Sequence, residues 1–128
     1  MRVLLDTQAF IYAIDPNQTH KLPAKAQRAI QRADERLLSV LSVSELALKG
    51  ARGRITITRR QIELGLQTLL VELLPVSENH VFRTFELTLH HTDPFDRMII
   101  AAAIEEDLAL IGGDEQFRKY KGLKVVWQ

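Results

Sequence analysis

The sequence predicts an α/β domain around a mainly parallel sheet, and three observations carry that prediction. Five short apolar runs have strand length: RVLL (2–5), RLLSV (36–40), ELLPV (72–76), LALI (108–111) and KVVW (124–127). The segments between them have the length and apolar spacing of helices. No repeat, low-complexity stretch or linker interrupts the chain, so residues 1–128 read as one continuous domain.

In order along the chain, RVLL is followed by QAFIYAI, helical until Pro16. PAKAQRAIQRAD (23–34) is alanine-rich and places a proline at the first helical position, so it reads as a second helix. After RLLSV comes SVSELALKG (42–50), a helix ending at Gly50. RRQIELGLQTLLVE (59–72) spaces Ile62, Leu66, Leu69 and Leu70 at helical intervals. ELLPV is then a strand, ENHVFRTFELT (78–88) a helix, and PFDRMIIAAAIEED (94–107) a buried helix leading into LALI.

The composition, 46% hydrophobic and 26% charged with net charge +1, is that of an ordinary globular chain. A chain of this length buries roughly 65–70% of its unfolded surface without staples. The absence of cysteine excludes disulfides and thiolate metal sites and fits a reducing cytoplasm. The opening MRVLLDTQAF holds an apolar run of three residues before Asp6, too short for a signal peptide or a membrane span. A cytoplasmic protein without a membrane partner is expected. Charge is unevenly spread: KGARGRITITRR (49–60) holds Lys49, Arg52, Arg54, Arg59 and Arg60 with no acid, and RKYKGLK (118–124) is a second basic block. Such blocks are either solvated surface or contacts for a local anionic partner.

The acids of interest sit at strand-to-helix junctions. Asp6 follows the first strand, Glu45 lies a turn into the helix after RLLSV, and Asp114 follows LALI. In a parallel sheet these junctions share the carboxyl edge of the strands, where α/β folds build their sites. Asp93 and Asp96 begin the helix before LALI. That helix must run back down the sheet, so its start lies on the same rim.

Helix capping is the alternative for each acid taken singly. Asp93 before Pro94 is an N-cap pattern, Ser42 and Glu45 have capping-box spacing, and Glu45 can pair with Lys49 one turn on. Capping does not require several acids to share one rim. Asp96 shares a helix face with Ile99, Ile100 and Ala103, and Glu45 one with Leu41 and Leu48. Carboxylates gathered on apolar faces repel one another unless a cation holds them. Oxygen ligands without cysteine select Mg²⁺ or Mn²⁺. Such an ion shares its shell with phosphate and can activate water, so acids ringed by Arg and Lys point to a nuclease. Base recognition is not legible, because no aromatic RNA-binding motif or helix-turn-helix is present.

LLDT (4–7), SVSELALK (42–49), HTDPFDRMIIAAA (91–103) and GDEQF (113–117) resemble, in order and spacing, the successive motifs of the PIN-domain family, most closely the VapC-type toxins. The resemblance covers essentially the whole chain. It implies a three-layer α/β/α sandwich and a Mg²⁺-dependent endoribonuclease acting on a structured RNA, with Mn²⁺ able to substitute. A homodimer inhibited by a small antitoxin is also implied. Carried over by position, the catalytic and metal-holding acids are Asp6, Glu45, Asp96 and Asp114, with Asp93, Ser42 and Thr7 as adjuncts. Lys49, Arg52, Arg54 and Arg97 are the candidate phosphate contacts, Arg97 being also a candidate partner for a carboxylate.

The chain departs from the family pattern in three places. Gln8 stands where many relatives have histidine, Ala102 where a glutamine is frequent, and Gly112 where a hydroxyl residue often precedes the fourth acid. The last departure implies weaker metal binding or rate. It favours a rival reading in which the fold survives as a catalytically weak module binding an antitoxin or RNA. A Mg²⁺-dependent phosphatase is set aside, since Gln8 stands where its second aspartate is needed. His90 and His91 read as loop or dimer-surface residues, and Trp127 as core packing.

Overall fold

The computed structural model describes residues 1–128. Five strands, β1 (Arg2–Leu5), β2 (Glu35–Ser39), β3 (Val71–Leu74), β4 (Ala109–Ile111) and β5 (Lys124–Val126), form one sheet in the order β3-β2-β1-β4-β5. Every neighbouring pair is parallel. The helices are α1 (Thr7–Ile14), α2 (Ala24–Arg32), α3 (Val40–Ala51), α4 (Arg59–Leu69), α5 (Glu78–Arg83) and α6 (Pro94–Glu105). Short 3-10 turns lie at Thr19–Lys21, Thr84–Glu86 and Glu115–Lys119. No helix is long and apolar enough to cross a membrane.

β1 is central because Val3, Leu4 and Leu5 leave no polar face, and such a strand is stable only when covered on both sides. Register then sorts the side chains. Leu4 lies opposite Leu37 and Leu110, and Leu5 opposite Leu38 and Ile111. Successive residues of a strand point to opposite faces, so these sets belong to two separate cores. One joins Leu5, Leu38 and Ile111 to Phe10, Ile30, Leu46 and Ile62 of α1 to α4. The other joins Leu4, Leu37 and Leu110 to Ile99, Ile100 and Ala103 of α6 and to Phe117. With helices on both faces, the architecture is the expected three-layer α/β/α sandwich around a parallel sheet.

Several boundaries differ from the sequence reading; α2, for one, begins at Ala24, with Pro23 as its N-cap rather than its first helical residue. α3 starts at Val40, because Ser39 Oγ accepts the Leu41 amide as N-cap. Ser42 is therefore inside the helix and fully buried, and Ser42 and Glu45 form no capping box. α4 stops at Leu69, since Leu70 adopts the left-handed region (φ 54°) and β3 begins at Val71. A continuous run of Leu and Val hides that reversal. The segment expected to be helical over 78–88 gives up α-geometry at Arg83 and continues as a 3-10 turn to Glu86.

Gly65 sits in the middle of α4, where glycine costs about 1 kcal/mol relative to alanine. The packing against α1 explains it: a Cβ at 65 would fall 2.5 Å from Ile14 Cγ2 and 3.1 Å from Ile14 Cβ. Both atoms belong to the stiff root of a β-branched side chain, so they cannot swing away. Gly65→Ala is expected to destabilise the protein by about 1–3 kcal/mol despite its better helix propensity, as read from urea unfolding midpoints. A stabilised variant would mean that α1 and α4 separate easily.

Candidate functional site

At the carboxyl edge of the sheet a cleft of about 480 Å³ is lined by Asp6, Thr7, Gln8, Tyr12, Glu45, Lys49, Asp93, Asp96, Gly113, Asp114, Phe117 and Trp127. Asp6 leaves the end of the central strand, Glu45 and Lys49 come from α3, and Asp93 and Asp96 from the start of α6. Asp114 follows β4 and opens a 3-10 turn. The four principal acids named from the sequence therefore meet in one place. A second cleft of about 470 Å³, between α1 and α4, has a single carboxylate, Asp15, whose oxygens are occupied by the Asn17 amide and Gln18. It offers no comparable chemistry.

Capping and clustering prove to be the same arrangement. Asp6 Oδ1 accepts the Ala9 amide at 2.7 Å and caps α1. Asp114 Oδ1 accepts the Gln116 amide at 2.9 Å. In each case one oxygen anchors the carboxylate; the other oxygen of Asp6 remains for the cleft, and that of Asp114 meets His91. Asp93 is the N-cap of α6, its Oδ1 accepting from Phe95 at 2.8 Å and Asp96 at 3.2 Å, with Pro94 at the first helical position. Asp96 is not a cap and is free to face the cleft.

Thr7 joins two elements. Its hydroxyl lies 2.6 Å from Glu45 Oε1 and 2.9 Å from the Oγ of Ser42. A hydroxyl has one proton, and the carboxylate is the stronger acceptor. Thr7 thus donates to Glu45 while Ser42 supports Thr7 from beneath the cleft floor. Lys49 Nζ is 3.3 Å from the second Glu45 oxygen, the i,i+4 pair that the sequence allowed.

His91 is the residue the sequence reading placed outside the site. Its Nδ1 accepts the Asp93 amide at 3.1 Å, which leaves the proton on Nε2 in the neutral ring. That Nε2 lies 2.8 Å from Asp114 Oδ2 and 3.1 Å from Asp96 Oδ2. The ring stacks on Phe117, while His90 turns away to meet Tyr120 edge-on. The available signal was HTD: a histidine two residues before a helix cap can bond the cap's own amide and so be aimed at the helix start.

Arg97 is corrected in the other direction. Its guanidinium donates to the backbone carbonyls of Thr84, Leu87, Thr88 and His91 at 3.1–3.3 Å. It holds the loop that carries His91, which leaves it engaged with backbone rather than with a carboxylate or a phosphate. Arg52 and Arg54 are exposed beyond the C-terminal end of α3, about two turns from Glu45 and outside the cleft. Trp127 is partly as expected: it packs against the core, yet it also lines the cleft.

The electrostatics follow from burial. Asp6 is only 7% exposed. Burial pushes its carboxyl up to about 7; the Ala9 amide pulls the other way, and the charges of Asp96, Glu45 and Asp114 add to the rise. Asp96 is pushed up to about 6, first by burial and then by Asp93, with His91 opposing and Glu45 and Asp114 contributing. The site is thus rich in negative charge and short of cations. Asp96, Asp114 and His91 bring potential ligand atoms within 4.8 Å of one another. Oxygen donors of this density fit a hard divalent cation, which would relieve the repulsion. The His91 N–H would compete with such an ion for two of those oxygens. For that reason the four acids, not the tighter His91 group, are the better candidate ligand set for such a cation.

The raised carboxyls make a stability prediction. Each group titrates above its unfolded value of 3.8, so the native state binds more protons than the unfolded state between about pH 4 and 7. Without metal, these two groups make stability fall as pH rises through that window. Asp6→Asn keeps the cap acceptor and removes the charge. It is expected to be more stable than the parent at pH 8 in EDTA, by roughly 2–4 kcal/mol, with the difference vanishing near pH 4. Melting curves at the two pH values check this, and a pH-independent difference would sink the electrostatic account.

No curated protein matches the chain in sequence. Solved structures do match in fold. VapBC2 from Rickettsia felis, bound to a DNA fragment from its promoter, aligns with TM-score 0.70 and 18% identity over 98% of this chain and 97% of that one. DNA-bound VapBC from Salmonella typhimurium gives TM-score 0.70 and 18% identity over 98% and 96%. A toxin–antitoxin complex from Klebsiella pneumoniae gives 0.61 and 17% over 94% of each. The PIN domain family model matches residues 3–123, a span that contains all four acids of the cleft, and the chain belongs to the PIN domain family.

Proposed function

We propose that this protein is a Mg²⁺-dependent endoribonuclease, the toxin of a toxin–antitoxin pair, organised as one domain over residues 1–128. The observation that carries this reading is the meeting of Asp6, Glu45, Asp96 and Asp114 in one cleft beside Lys49. A chain of similar fold occurs in a toxin–antitoxin complex, which supports a small antitoxin as partner; a cytoplasmic setting belongs to the same proposal. The protein itself we take to be a homodimer.

Asp6, Glu45, Asp96 and Asp114 would hold Mg²⁺, with Mn²⁺ able to substitute, and the bound ion would polarise the phosphodiester and acidify a water. The chain's part is to hold these groups still. Asp6 and Asp114 each spend one oxygen on a cap, which fixes the direction of the other. Thr7 fixes Glu45 from one side, and His91 draws Asp96 and Asp114 toward each other. Lys49 lies at the cleft edge, where its ammonium can meet a phosphate oxygen. Arg52 and Arg54 are exposed and suited to phosphates further along the strand.

The second reading, a catalytically weak binding module, rests on Gly112. The position has a packing reason of its own: a Cβ there would fall 2.6 Å from Asp6 Oδ2 and 2.7 Å from Phe117 Cε2. In this chain the Asp6 carboxylate occupies the room that a hydroxyl side chain would need. Gly112→Thr is therefore expected to lower RNA cleavage by about tenfold or more rather than restore anything, because it displaces Asp6. A faster variant would support the weak-module reading.

The primary test is cleavage of total RNA by the purified protein freed of antitoxin, with Mg²⁺ and with EDTA, beside Asp96→Asn. Discrete fragments are expected with Mg²⁺ only, falling about 100-fold or more in the variant. Absence of cleavage at every Mg²⁺ and Mn²⁺ concentration would overturn the enzyme reading.

A further inference from the structure

The nuclease reading uses the acids of the cleft and leaves its aromatic lining unexplained. Tyr12 and Trp127 line the same cleft as Asp6 and Asp114, with ring centroids 6.4 Å apart and planes inclined at 39°. Both rings are partly buried: they pack against the core on one side and border the cleft on the other.

The placement of Trp127 depends on a glycine. A Cβ at position 113 would lie 2.6 Å from Trp127 Cε2 and 2.8 Å from Nε1, closer than any side chain can approach. Gly113 thus lets the indole lie against the backbone immediately before Asp114. Core packing alone does not require the ring to reach this loop. Lys21 Nζ stands 5.6 Å from the centre of the Tyr12 ring, adding a cation beside the aromatic pair.

Aromatic rings that share a cleft with a cluster of carboxylates gain little from them. The ligand that suits both sets of side chains has a flat π-face beside a phosphate. We propose that Tyr12 and Trp127 form a stacking platform for an unpaired base of the RNA next to the scissile phosphate, an inference that rests on the nuclease reading. A base inside a duplex has both faces covered by its stacked neighbours, so the platform selects single-stranded or looped RNA, and stacking tolerates any base identity.

Trp127 is the only tryptophan, so its emission reports on the platform directly. The experiment uses the Asp96→Asn protein in Mg²⁺, to stop turnover. It is titrated with a ten-nucleotide single-stranded RNA, the same strand with abasic sugars, and the strand annealed to its complement. Affinity is read by anisotropy of end-labelled strands, and Trp127 emission is followed with unlabelled ones. The base-containing single strand is expected to quench Trp127 and to bind roughly 5- to 100-fold tighter than the abasic strand or the duplex. Tyr12→Leu should weaken binding of the base-containing strand only. Trp127→Phe, which keeps a ring, should retain most of that preference where Trp127→Leu loses it. Equal affinity for base-containing and abasic strands, or binding that leaves Trp127 emission unchanged, overturns the platform while the nuclease reading stands. A parent protein that neither binds nor cuts RNA overturns both.

Discussion

The interaction on which the structure turns is the burial of Asp6 at the end of β1. A carboxylate there is expensive, since the central strand is enclosed by two apolar cores and the nearest charged neighbours are mostly acids. One hydrogen bond, from the Ala9 amide, stabilises its ionised form. The remaining imbalance comes from the cleft: the charges of Glu45 and Asp114 oppose the ionisation of both Asp6 and Asp96. A fold that keeps four such groups on one rim is weakened by them unless something positive enters. This is why a cation site explains the arrangement better than a set of independent caps.

The caps nevertheless matter to the chemistry. A helix N-terminus leaves amides that need acceptors, and a β-α junction in a parallel sheet puts that N-terminus at the carboxyl edge. Asp6 and Asp114 answer the backbone's need with one oxygen each, leaving the second oxygen of Asp6 available and that of Asp114 to meet His91. The same economy places His91, whose Nδ1 bonds the Asp93 amide and whose Nε2 is thereby aimed at Asp96 and Asp114. Arg97 holds the preceding loop through four carbonyls, so the position of His91 depends on a residue that never enters the cleft.

Glycines set the clearances. At 65 the absence of a side chain lets α1 and α4 touch, at 112 it makes room for the Asp6 carboxylate, and at 113 it admits the Trp127 indole. None of these three needs a positive φ; each is defined by what lies against it. A family pattern that prefers a hydroxyl at position 112 therefore does not transfer to this chain, because the neighbouring carboxylate has taken the space.

Strand order aside, the architecture was legible in the residues. RVLL, apolar throughout, had to be a covered strand, and acids at strand ends had to share a rim if the sheet was parallel. Asp6, Glu45, Asp96 and Asp114 could be named from that logic because their placement follows from connectivity. Helix ends were less legible, as at Leu70, where an apolar run conceals a left-handed residue. The roles of His91, Arg97 and Trp127 were beyond the sequence for one physical reason. Each is settled by which atoms a long or planar side chain meets across elements: His91 between two carboxylates, Arg97 among carbonyls of a loop, Trp127 against Gly113. Periodicity and spacing determined which elements form and which ends come together; only the packed tertiary structure decided which side chains fill the space between them.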